Sequence, residues 1–265
     1  MIKMEQVQCG YGPRIVLDGI DLAIKKGEFV GIIGPNGSGK TTVLRAITRL
    51  IKLMRGNIYL DDKDIYTLSH REIAQKIAVV SQNLPVVNMT VKEFVLLGRV
   101  PYYKNLQFFE NERDLIAADR AMTMTDTGRL NDHYLSEMSG GEVQLAFIAR
   151  AIAQEPSLLL LDEPTAHLDI THQVSILDLI KRLNKEYNLT VIIVLHDLNL
   201  ASEYCDRLVL MDNGRIRKAG TPEEVLIYKD IEEVYHTVVV VEKNPLSEKP
   251  FVLVVSEEVK ERCGK

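Results

Sequence analysis

Eight consecutive residues, Gly34-Pro35-Asn36-Gly37-Ser38-Gly39-Lys40-Thr41, place a lysine and a hydroxyl directly after a glycine-rich run. This is the G-x-x-x-x-G-K-[ST] arrangement of a phosphate-binding loop. Glycines let the backbone curl until successive amides point at one place, and a helix N-terminus adds its positive dipole. The Lys40 ammonium would supply a point charge to β- and γ-phosphates, and the Thr41 hydroxyl would ligate Mg²⁺. Thr42 extends the phosphate-facing set. The context separates this loop from a plain glycine turn. The apolar run Phe29–Ile33 precedes it as a strand, and Val43, Leu44 and Ile47 follow at helical spacing.

A second strand-like run, 158–161, is four leucines and ends in Asp162 and Glu163. Side chains alternate along a strand, so the two carboxylates can take separate tasks at its end. Asp162 would hold Mg²⁺ through its water shell. Glu163 would polarise an attacking water as general base. His196 follows the apolar run 191–195, and Gln82 follows Ile77–Val80 with the same geometry. A lone His or Gln after a strand is usually structural. Here four strand ends converge on one edge, where open α/β sheets bind ligands.

Ser139-Gly140-Gly141 opens a helix with Leu145, Ile148, Ala149 and Ile152 on one face. Exposed amides at that start make a second anion site. One nucleotide is already served by the first loop, so a second site points to the nucleotide of another subunit.

These motifs need a frame that brings strand ends together. Short apolar runs alternating with amphipathic stretches such as Ile176, Leu179, Ile180 and Leu183 predict an α/β fold around a mainly parallel sheet. Residues 1–27 and 56–65 read as antiparallel strands with tight turns. Residues 86–154 read as a helical insertion, with a capping box at Thr90-Val91-Lys92-Glu93 and a stop at Gly98. Arg207–Asp212, Asn213-Gly214 and 215–218 predict a hairpin with a type I′ turn. The expected layout is a single domain: core and β subdomain at about 1–85 and 155–236, helical subdomain at about 86–154, and a C-terminal β extension at about 237–265, read as a packed β-addition.

Composition limits the function classes. The chain has 265 residues, 46% hydrophobic and 26% charged, with a net charge of −5. That charge gives no electrostatic reason to expect nucleic acid. Cys9, Cys205 and Cys263 have no metal or disulfide spacing, and a reducing compartment fits them. The start lacks a signal-like apolar core. The longest aliphatic runs, 158–161 and 238–241, are far too short to cross a bilayer, so a membrane path would belong to another chain.

With these residues in place, the sequence resembles the ABC ATPase family over essentially its whole length. Its order of motifs matches the family's: phosphate loop (Walker A), Q-loop Gln82, signature Ser139-Gly140-Gly141-Glu142, Walker B 158–163, D-loop Ala166-His167-Leu168-Asp169, and switch histidine His196. The resemblance implies a RecA-like P-loop NTPase core with a flanking antiparallel β subdomain and an inserted α-helical subdomain. It also implies ATP as substrate with Mg²⁺, Tyr11 stacking on adenine, and Asp169 at the nucleotide. Two copies would pair head to tail, each signature capping the other's ATP. Leu97-Gly98-Arg99-Val100-Pro101, Thr165 to Ile170 with His172-Gln173, and His196-Asp197-Leu198-Asn199 resemble the branch serving iron–siderophore, haem and cobalamin importers. Implied partners are two polytopic permease subunits and, indirectly, an external substrate-binding protein, with the chain at the cytoplasmic face of the cell membrane. Residues 83–103 would meet the permease. Related branches give two alternatives: a molybdate or tungstate importer, or a soluble ATPase of iron–sulfur assembly. An ATPase acting on nucleic acid or ribosomes is disfavoured by the acidic charge and the single cassette. Four positions depart from the family: Met138 for Leu, Glu142 for Gln, and Val143 and Leu145 where basic residues are frequent.

Overall fold

Alternating burial in the N-terminal strands and continuous burial in the central ones produce two kinds of sheet. The computed structural model describes residues 1–82, 87–104, 107, 109–256 and 258. They fall into two units, Met1–Ile65 with Ile192–Lys265, and Tyr66–Val191.

In the first unit, β1 (Ile2–Tyr11) and β2 (Arg14–Ile24) pair antiparallel. Ile2, Met4, Val7 and Cys9 face the core from β1, and Leu17, Ile20, Leu22 and Ile24 from β2. β4 (Leu53–Leu60) and β5 (Lys63–Asp64) complete a sheet of order β2-β1-β4-β5. The antiparallel sheet expected from residues 1–27 and 56–65 is therefore present. β3 (Phe29–Ile33) is buried at every position, as a strand covered on both faces must be. It feeds α1 (Lys40–Ile47) through the phosphate loop.

β3 runs parallel to β9 (Arg207–Asp212), which turns back into β10 (Arg215–Gly220). Asn213 at φ 46° and Gly214 at φ 76° form the left-handed pair of the expected type I′ turn. On its other side, Ile32 accepts the Leu195 N–H just after β8 (Thr190–Val194). The helices α7 (Leu198–Tyr204), α8 (Pro222–Val225) and α9 (Tyr228–Tyr235) complete this unit. A last hairpin, β11 (Val239–Lys243) with β12 (Pro250–Val254), hangs on α7. The Asn199 amide acts there as a surrogate peptide, donating to Val252 O at 3.2 Å and accepting its N–H at 2.7 Å. The C-terminal stretch is thus a packed β-addition up to Val254; Cys263 lies outside the described residues.

In the second unit, α2 (His70–Lys76) leads into β6 (Ile77–Val80), which runs parallel to β7 (Leu158–Asp162). Between these two strands the described residues hold α3 (Val91–Leu96), α4 (Glu112–Met124) and α5 (Gly140–Ala153). The capping box at Thr90 forms as expected, Thr90 Oγ1 accepting from Glu93 N and the Glu93 carboxylate accepting from Thr90 N. α6 (Ile170–Tyr187) buries Ile176, Leu179, Ile180 and Leu183, the stripe read from spacing.

α3 ends at Leu96, just before Gly98 as expected, but the glycine also has a packing task. After α3 the chain tightens into a 3₁₀ segment, Leu97–Tyr102, that runs through Gly98. A Cβ at Gly98 would overlap the Arg150 carbonyl oxygen of α5, so the glycine permits close approach of two backbones. Arg99 then locks the contact. It is buried, donates to Ala153 O at 2.7 Å and to Glu155 at 2.8 Å, lies 3.3 Å from buried Asp114, and stacks 4.0 Å over the Tyr102 ring. Removing one partner of a buried pair leaves the other's charge uncompensated. Arg99→Ala is therefore expected to destabilise the protein by about 3–5 kcal/mol, read as the shift in a urea melt. A loss below about 1 kcal/mol would mean that Asp114 finds other compensation.

Candidate active site

The phosphate loop joins the end of β3 to the start of α1 in a backbone shape that side-chain-bearing residues rarely adopt. Gly34, Gly37 and Gly39 sit at φ 146°, 81° and 101°. A Cβ on Gly39 would come within 2.8 Å of the Leu17 side chain, and one on Gly34 would overlap the Met211 carbonyl. The loop is thus both curled and wedged against β2 and β9. Pro35 is half-buried, while Asn36 and Gly37 face solvent. Lys40 and Thr42 are buried, and Thr41 is half-buried at the second position of α1.

The Lys40 ammonium donates to the carbonyls of Gly34 and Pro35, both at 2.9 Å. Those bonds bring the charge back over the mouth of the loop. Ser38 Oγ is buried in the same loop and has no hydrogen-bond partner. Burying an orphan hydroxyl costs free energy that an incoming acceptor would recover. An ammonium, an orphan hydroxyl and a glycine-curled run of amides form a donor set that fits a phosphate anion. Tyr11 closes β1 with its ring about half exposed, and its hydroxyl accepts from Arg45 of α1 at 2.6 Å. The exposed ring is therefore tethered to the helix that the phosphate loop begins. His196 is exposed immediately after Leu195, and its neighbour Asp197 caps α7 by accepting from Asn199 N and Leu200 N at 2.8 and 3.0 Å.

In the second unit two of the three expected catalytic side chains meet. Gln82 Nε2 donates to Glu163 Oε2 at 2.6 Å. Asp162 is buried at the last position of β7, and Glu163 follows it in a left-handed backbone at φ 52°. A left-handed glutamate costs roughly 1–3 kcal/mol and persists only where its surroundings hold it. The Ala166 N–H bond to Glu163 O and the Gln82 contact supply part of that hold. Ser139 caps α5 in a reciprocal box. Its Oγ accepts from Glu142 N at 3.4 Å and donates to the Glu142 carboxylate at 2.8 Å. The Ser139 bonds keep the Glu142 carboxyl below the usual carboxylate range. Gly140 is exposed and Gly141 buried in the first turn of the same helix. Asp169 caps α6 and is held below its ordinary pKa, chiefly by the His172 backbone bond.

Sequence reading missed Tyr235 and Arg45. Burial pushes the Tyr235 phenol up to about 12, against an opposing pull from the Gly34 backbone amide, so no anion forms beside the phosphate loop at neutral pH. No local pattern marks Tyr235, because only folding brings α9 to β3. Arg45 belongs to no motif, and only folding brings it to Tyr11. Among the described residues no group of three or more His, Cys, Asp or Glu is arranged to hold a metal. None of the helices there is long and apolar enough to cross a membrane.

Residues 17–166 match the family described as ABC transporter. The petrobactin import ATP-binding protein of Bacillus anthracis is 40% identical over 252 residues, covering 95% of this chain and 92% of that protein. The ferric enterobactin transport ATP-binding protein of Escherichia coli (strain K12) is 37% identical, covering 95% and 93%. Among solved structures, a dimeric ATP-binding cassette in a post-hydrolysis state, bound to ADP and Pi, superposes with a TM-score of 0.72. It is 32% identical and covers 83% of this chain and 98% of that one.

The charge at Lys40 carries the clearest test of the cradle. Lys40→Met keeps the stem and removes the ammonium, so nucleotide affinity is expected to fall by about 10- to 150-fold, the worth of a charged hydrogen bond. Fluorescence titration of an ATP analogue reads the change. Unaltered affinity would remove Lys40 from the site.

Proposed function

Since the chain belongs to the ABC transporter family as an ATPase subunit, we propose that it powers uptake of a metal chelate such as iron–siderophore, haem or cobalamin. The end-to-end likeness to import ATP-binding subunits carries this reading. In it, two copies pair head to tail at the cytoplasmic face of the membrane. They work on two polytopic permease subunits, with an external substrate-binding protein delivering cargo. The dimeric form of a related cassette supports the pairing.

We assign the chemistry as follows. Tyr11 stacks on adenine, while the amides of Gly34 and residues 36–39, with Lys40 and Thr42, hold the phosphates, and Pro35 shapes the loop between them. Mg²⁺ would be held by the Thr41 hydroxyl, Asp162 and Gln82, and when bound it offsets phosphate charge. Glu163 accepts a proton from water as the water oxygen bonds to the γ-phosphorus. The bond from that phosphorus to the bridging oxygen breaks, and ADP and phosphate leave. Gln82 aims the Glu163 carboxylate through its 2.6 Å bond. His196 donates toward the γ-phosphate. Ser139, Gly140 and Gly141 cap the nucleotide of the partner copy with helix-start amides, and Asp169 contributes from the adjoining loop.

For Ser139 this means exchanging one acceptor for another. Its hydroxyl now donates a hydrogen bond to Glu142 and would donate instead to a phosphate oxygen when ATP closes the pair. Closure on ATP and reopening on hydrolysis would then drive alternating access in the permease.

Glu163→Gln is expected to slow hydrolysis by about 10²- to 10⁴-fold while ATP binding persists and an ATP-bound dimer accumulates on size exclusion. Unchanged turnover would remove Glu163 as the base. Reconstitution with the permease subunits, supplied in turn with siderophore iron, haem, cobalamin and molybdate, tests the cargo. Uptake of molybdate alone would overturn the chelate reading. Recovery with soluble scaffold proteins only would replace it with iron–sulfur assembly.

A further inference from the structure

Within the second unit, one contact links two motifs that no assigned role connects. Gly141 is buried in the first turn of α5. A Cβ there would lie 2.9 Å from both Cγ and Nε2 of His172, with Cδ2 nearer still. The ring is about half exposed, and one carboxylate orients it. Asp169 Oδ1 accepts the His172 N–H at 2.9 Å, and Asp169 Oδ2 lies 2.8 Å from Nδ1. A carboxylate can only accept, so Nδ1 carries the proton and the ring plane is set.

The segment behind the ring is also tied. Ala166 N donates to Glu163 O at 3.1 Å, and Gln173 Nε2 donates to the carbonyls of Thr165 and Leu168 at 3.2 and 3.0 Å. The Leu168 side chain lies 3.6 Å from where a Cβ on Gly140 would stand. Short contacts therefore run from Glu163 through Asp169 and His172 to the glycines that start α5.

We propose that His172 is a positioning residue for ATP hydrolysis. Its ring, oriented by Asp169, seats Ser139, Gly140 and Gly141 relative to the segment that begins at Glu163. The second glycine of that run is then demanded by a ring of the same chain, and not solely by nucleotide. This inference rests on the reading of Ser139, Gly140 and Gly141 as the cap of the partner copy's ATP.

The test is a double-variant cycle in the full chain: Gly141→Ala, His172→Asn and both together, with ATP turnover and binding of a fluorescent ATP analogue measured on each. Asparagine keeps an N–H in the place of Nδ1 and lacks the ring that would meet the new methyl. Gly141→Ala is expected to lower kcat by about 100-fold, the effect of displacing a reacting group by ~1 Å, with analogue affinity unchanged. The double variant is expected to regain about tenfold or more and to match His172→Asn. Purely multiplicative losses, with analogue binding intact, would overturn the coupling. Should Gly141→Ala fail to fold, His172→Asn by itself decides: a several-fold fall in kcat at constant KM supports the role, and wild-type kcat overturns it. A Ser139→Ala control separates the two readings. Wild-type hydrolysis there would sink the capping role and this proposal together, whereas an inactive control beside multiplicative losses defeats the His172 role alone.

Discussion

Backbone amides can surround a polyanion only if the chain between them takes dihedral angles that a Cβ resists. Gly34, Gly37 and Gly39 supply those angles, and the rest of their unit is arranged around the consequence. The curl leaves no room to spare: β9 abuts it at Met211, and β2 abuts it at Leu17. Full burial of β3 fixes where the loop starts, and the first turn of α1 fixes where it ends. The loop's own carbonyls then hold Lys40 in place, so the cation is poised before any anion arrives. This is preorganisation in the electrostatic sense, because the dipoles need not reorient when charge appears.

The acids raise the opposite difficulty, since a carboxylate proposed as general base must be aimed without being paired to a cation. A carboxamide answers it. Gln82 donates a hydrogen bond to Glu163 and brings no charge. Asp162 is buried, whereas Glu163, in a left-handed backbone, is partly exposed, so neighbouring carboxylates do not share one environment. At the start of α5, a capping box satisfies the helix end while leaving a hydroxyl that can turn its hydrogen bond from Glu142 to another acceptor. The Glu at position 142, a departure from the commoner Gln, is what makes that acceptor anionic.

The helical stretch shows how packing explains a motif that resemblance alone only names. Gly98 and Arg99 attach the 3₁₀ segment to the C-terminal end of α5, one by absence of a side chain and the other by a buried guanidinium. The Arg150 guanidinium lies 4.8 and 5.1 Å from the Phe94 and Phe147 rings, so α3 and α5 share an aromatic core with a cation over it. Burial lowers the Arg150 pKa, the direction set by desolvation of its charge.

Most of the elements, and the residues proposed for the chemistry, were legible in the chain. β3, β6, β7, β8 and the β9–β10 turn follow from apolar runs bounded by Gly, Asn and acidic residues, because strand burial and turn dihedrals are local properties. The phosphate loop was legible for the same reason: its glycines, lysine and hydroxyl are contiguous. What only the tertiary structure decided are the partnerships between distant positions. Gln82 with Glu163, Tyr11 with Arg45, Arg99 with Asp114 and Ala153, and His172 with Gly141 leave no periodic trace. Gly98 makes the point most plainly. Read locally, a glycine after a helical run is a stop; in the fold, the nearby Arg150 carbonyl excludes a side chain there. Spacing along a chain reports the dihedrals and faces of its elements, while the shape left between elements exists only after they pack.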